Sequence, residues 1–75
     1  MESPEDKRIR VFVDMMKTVV EDTTLENFES QMAFYLKNAS NLIDKFPNRE
    51  QELEAAISTF TNRMKDKHAI LVAKL

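Results

Sequence analysis

The chain contains no glycine, and its only prolines are Pro4 and Pro47. Tight turns and left-handed helix caps draw on glycine for positive φ, and proline interrupts regular structure. A chain without the first, and with the second at two isolated points, suits long helices joined by short links. Apolar spacing agrees with this. Strand-like alternation occurs only across Lys7-Arg8-Ile9-Arg10-Val11-Phe12-Val13, where a strong helix start and the helical stripe that follows outweigh it.

Three segments carry helical spacing. The first opens Ser3-Pro4-Glu5-Asp6: serine caps, proline suits the first helical position, and two acids complement the helix dipole. Ile9, Phe12, Val13, Met16, Val19 and Val20 then form one stripe. Val11 and Met15 widen it to an apolar arc of roughly 200°. The second segment is expected to begin at Thr23-Thr24-Leu25-Glu26, with Thr23 and Glu26 as a capping box. Leu25, Phe28, Met32, Tyr35, Ala39, Leu42 and Phe46 then advance by alternating threes and fours, a heptad seam that Leu36 and Ile43 flank. Pro47 pushes Phe46 out of the helical region and ends the segment. The third is expected to start with another capping box, Asn48-Arg49-Glu50-Gln51. Its stripe is Leu53, Ile57, Phe60 and Met64, resuming at Leu71 and Leu75 with His68 at the edge. The expected helices span about 4–21, 24–45 and 49–74, within a single domain over 1–75. Short links make neighbours antiparallel, so the expected fold is all-α: an up-down-up three-helix bundle that associates through its long third helix.

Hydrophobic residues at 43% and charged residues at 32% describe a folding chain, not a disordered one. At this length a single core rarely supplies more than ~3–5 kcal/mol, so association is a natural source of further stability. The net charge of −2, with both signs interspersed, gives little pull toward nucleic acid. The acidic opening lacks the basic and apolar regions of a signal peptide. The longest apolar runs are five residues, against the ~20 of a membrane span. A cytoplasmic protein is the resulting expectation.

Chemistry-bearing patterns are few. Without glycine there is no phosphate-binding loop and no nucleophile elbow. Without cysteine there is no disulfide, thiolate zinc site or cysteine nucleophile. His68 is the only histidine, and no Glu-x-x-His pair suggests a di-metal bundle. The acids fall off the apolar stripes, as solvated faces do. No catalytic residue, cofactor, metal or small-molecule substrate is assigned, and the expectation is a protein that is not an enzyme.

Two features exceed what a self-contained bundle needs. Phe34 projects about 150° from the centre of the second seam, counting ~100° per residue. Its helical neighbours Asn27, Ser30, Gln31, Asn38 and Asn41 are polar but uncharged. An aromatic in a charge-poor setting has the composition of an interface core. The other feature is the ending Ala69-Ile70-Leu71-Val72-Ala73, where Leu71 prolongs the stripe while Ile70 and Val72 fall ~100° to either side. A helix apolar all round is normally covered all round. Either this tail bends back over its own core or it packs against another chain. A membrane-surface role is the weakest alternative, because only Lys74 is basic within the last seven residues.

The reading is a small interaction module, an adaptor, regulator or chaperone-like binder. It would act by helix packing as a dimer or in a hetero-complex. Ile70, Leu71, Val72 and Leu75 are the expected anchors, with Phe34 a separate contact. The alternative is a nucleic-acid-associated regulator using Lys7, Arg8 and Arg10, a cluster that Asp6 and Asp14 flank.

Overall fold

The computed structural model describes all 75 residues. Three helices form: α1 (Pro4–Asp22), α2 (Phe28–Lys45) and α3 (Glu50–Ala73), with a 3-10 turn over Pro47–Arg49 between the last two. There is no strand. The helices pack as the expected all-α three-helix bundle, elongated to 46 × 22 × 17 Å. At 1.5 Å per residue they are about 28, 27 and 36 Å long, so α3 is longer than either neighbour by about two turns or less.

Helix α1 starts as its sequence requires. Ser3 is extended, and its Oγ accepts the Asp6 amide at 3.1 Å. The junction with α2 departs from the expected capping box. Thr23 is buried and belongs to the end of α1: its hydroxyl donates to the Val19 carbonyl at 2.7 Å and lies 3.5 Å from Met64 Sδ. Its amide turns to the Val20 carbonyl, at 3.4 Å. With Thr23 so engaged, the reciprocal pair shifts by one residue. Thr24 N–H donates to Asn27 Oδ1 at 2.7 Å, and Asn27 N–H donates to Thr24 Oγ1 at 3.3 Å. Leu25–Asn27 is therefore a turn, and α2 begins at Phe28, four residues later than expected.

The expected capping box at Asn48–Gln51 is also absent: no side chain caps α3. Arg49 binds three carboxylates instead. Its Nη1 lies 2.6 Å from Asp6 Oδ1 and 3.3 Å from Glu5 Oε2, and its Nη2 lies 2.7 Å from Glu52 Oε2. This clamp ties the start of α3 to the start of α1, which therefore run parallel with α2 antiparallel to both. The Arg49 guanidinium holds the Asp6 carboxyl below its ordinary value of 3.8, with help from Ser3. Asp6 in turn is the main cause that holds Arg49 above its usual range. Folded Asp6 takes up its proton less readily than the unfolded chain, so the clamp is complete above the unfolded value and fades as pH falls through the folded one. The melting temperature is expected to drop below about pH 4. An Arg49→Ala chain should start lower and lose less over the same interval. Equal acid slopes in the two chains, followed by circular dichroism, would remove the clamp as a source of acid sensitivity.

The core follows the stripes. Met16, Val19, Val20, Tyr35, Phe60 and Met64 form one buried cluster, and Ile9, Leu42 and Leu53 form a second toward the Arg49 end. Phe12 and Val13 touch both clusters and join them. Tyr35 is central, with its ring 5.9 Å from Phe12 and 5.6 Å from Phe60. Helix α3 packs along both α1 and α2, whereas α1 and α2 touch each other least. The side of the bundle away from α3 is thereby left open.

Candidate functional surfaces

The tail continues as helix and does not fold back. Lys67 reaches the Glu21 carbonyl at 3.2 Å, near the end of α1, and the His68 ring packs on Phe28 with centroids 4.5 Å apart. Beyond this level α3 has no neighbour on most sides. Ile70 is 54% exposed and Val72 46%, on opposite flanks, while Leu71 is half-buried. The core stripe ends there. Helix α3 stops at Ala73, so Leu75, expected on the stripe, stands 92% exposed outside it. His68 serves as a packed ring against Phe28.

Phe34 is 54% exposed, its ring edge-on to Tyr35 at 5.1 Å. Asn38, one turn on, donates its side-chain amide to the Phe34 carbonyl at 2.7 Å. Tyr35 contacts Phe60, and Ile70 lies ten residues further along α3, about 15 Å at 1.5 Å per residue. Phe34 and the tail are therefore separate surfaces.

Sequence reasoning missed the open side between α1 and α2. The wide arc of α1 is not used up by two neighbours: Val11 is 40% exposed and Met15 46%. Both line the two hollows along the α1/α2 side. Tyr35 lies under one hollow, and Phe12 and Leu42 under the other. The signal was present as Val11 and Met15 lying outside the main stripe. Which helix pair would stay open was not.

A different cleft separates α1 from α3, between Val13, Met16 and Val20 on one wall and Ala56, Thr59 and Phe60 on the other. Small residues at Ala55 and Ala56 leave it room, about 210 Å³. Small-molecule sites usually run to ~300–1,000 Å³ with a few convergent polar groups. This one is apolar apart from Lys17, Thr59 and Arg63.

Of the basic residues Lys7, Arg8 and Arg10, two lie in different surroundings. Arg10 is held bidentately by Glu2, at 2.8 and 3.1 Å, and lies 3.6 Å from Asp14. Arg8 stands two residues away, about 160° around the helix, on the α2 side beside Lys45. Lys7 is exposed. No three acidic or histidine side chains converge as metal ligands would. No helix is long and apolar enough to cross a membrane.

Comparison with protein-family models, curated proteins and solved structures returns no match.

Proposed function

We propose that this chain is a non-enzymatic interaction module, an adaptor, regulator or chaperone-like binder, which joins a second chain by helix-on-helix packing. The observation that carries this reading is the exposure of large apolar side chains at two separate places on a small bundle. Ile70 and Val72 flank the projecting turn of α3. Exposed Phe34 shares the α2 face of Asn38 and Asn41, which line a hollow with Val11 and Met15 on the open side of α1 and α2. Scattered single apolar residues are ordinary on any surface, but grouped ones mark contact sites. The setting of Phe34 adds support, since interface centres are depleted of charge. Asn27, Ser30, Gln31, Asn38 and Asn41 near it are uncharged, with Lys37 the one charge a turn away. Met15, unbranched and polarizable, suits a surface that adapts to its occupant.

The test compares the intact chain with a chain lacking residues 69–75 and with Phe34→Ser, by sedimentation and by capture from a lysate. The expected result is a species heavier than the monomer that at least one of the two changes removes while helicity survives. A chain that stays monomeric and captures nothing, and whose variants differ only in thermal stability, overturns the reading.

A further inference from the structure

The exposed line along α1 is Arg8, Val11, Met15, Thr18, Asp22, advancing by three, four, three and four. It has the spacing of a coiled-coil seam, is apolar at Val11 and Met15, and carries opposite charges at its ends. Arg8 stands seven residues before Met15 and Asp22 seven after, about 10.5 Å to either side at 1.5 Å per residue. On α2, Lys45 lies beside Arg8 and reinforces the positive end. Neither Arg8 nor Asp22 makes an ion pair within the chain. Asp22 also sits at the C-terminal end of α1, where the helix dipole disfavours an acid and no basic residue shares the last turn.

A pattern that reverses sign about its own midpoint is complementary to itself turned end for end. We infer that the α1/α2 face is the seat of a second copy of this chain, related by a two-fold axis through Met15. This rests on the interaction-module reading and names the partner of the Phe34 surface. Such an axis runs the two α1 helices antiparallel, as an isologous contact requires. Arg8 meets the partner's Asp22 and Met15 meets the partner's Met15, while Val11 falls within one residue, about 1.5 Å, of the partner's Thr18. The same contacts repeat with the roles exchanged. Asp14, near the axis, lies 3.6 Å from Arg10, a cation it shares with Glu2. Phe34 shares the α2 face of Asn38 and Asn41, which line the hollow with Val11 and Met15, and lies toward the Asp22 end of the face. The face is ~20 Å by ~20 Å, two helix diameters wide, so the dimer would bury roughly 800 Å² in total, in the small and exchangeable class. The tail of α3 lies outside this contact and stays free for a different partner.

The symmetry gives a test with an internal rescue. In Arg8→Asp, both ends of the dimer set acid against acid; in Asp22→Arg, both set base against base. Sedimentation equilibrium over a concentration series is expected to show each variant associating at least about tenfold more weakly than the intact chain. An equimolar mixture of the two should recover association, because each then meets its opposite at both ends. Removal of residues 69–75 should leave the dimer unchanged. A dimer that survives both charge reversals but is lost with the tail overturns this inference and leaves the module reading standing. An intact chain that stays monomeric throughout the series also overturns it. The module reading falls as well only if that chain captures no protein and its variants differ only in thermal stability.

Discussion

Replacing Leu53 by alanine is expected to remove about 2–5 kcal/mol of unfolding free energy, the range for large-to-small changes at fully packed sites. Leu53 is completely buried and, with Ile9 and Leu42, forms the smaller of the two clusters, one from each helix. A small cluster has few atoms able to move into a vacated volume, so the cost should lie toward the upper part of that range. Only 11 of the 75 residues are buried, so the total from which this is subtracted is small. For a domain this size each kcal/mol shifts the melting temperature by roughly 4–8 °C. Urea melts of the two chains, at one fixed concentration because association would add its own stability, would measure the difference. A change below about 1 kcal/mol would mean that the Arg49 end is not packed as described.

The opposite change, Ala39→Leu, is expected to be nearly as damaging, at about 1–3 kcal/mol or more. Ala39 has no exposed surface and sits on α2 one turn from both Tyr35 and Leu42, where the two clusters meet. A methyl group there lets α2 lie close against its neighbours. An isobutyl group must either push α2 away or turn Tyr35 from its contacts with Phe12 and Phe60. Loss of near-ultraviolet circular dichroism from Tyr35, with far-ultraviolet helicity kept, would report the second outcome. An unchanged melt would show that the helices have slack at Ala39 and refute the tight approach.

Legibility in the sequence was uneven, for reasons that particular residues show. The stripes of α1 and α3 and the seam of α2 were readable because burial on a helix obeys a fixed period, and Ile9, Met16, Tyr35, Leu42, Leu53 and Met64 all lie inside. The start of α2 was misread because two helix ends compete for adjacent threonines. Both are equally able to cap, and only the fold reveals that the Val19 carbonyl takes the hydroxyl of Thr23. Arg49 was hidden for another reason. Its partners Glu5 and Asp6 lie 44 and 43 residues away, and no local pattern encodes a pairing at that range. Phe34 and the tail were found by counting angles, which identifies residues that leave the seam. The neighbourhood of Val11 and Met15 was not, because a wide apolar arc is equally consistent with two covering helices and with one cover missing.

The long, narrow outline bears on how association can be measured. A compact chain of this length has a radius of gyration near ~11 Å, whereas this one reaches 13.4 Å. A rod-like particle drags more solvent than a sphere of the same mass. On a sizing column the single chain should therefore elute early, in the position of a heavier globule, and retention volume by itself would mistake shape for stoichiometry. Light scattering or equilibrium sedimentation, which weigh the particle whatever its outline, can tell one copy from two.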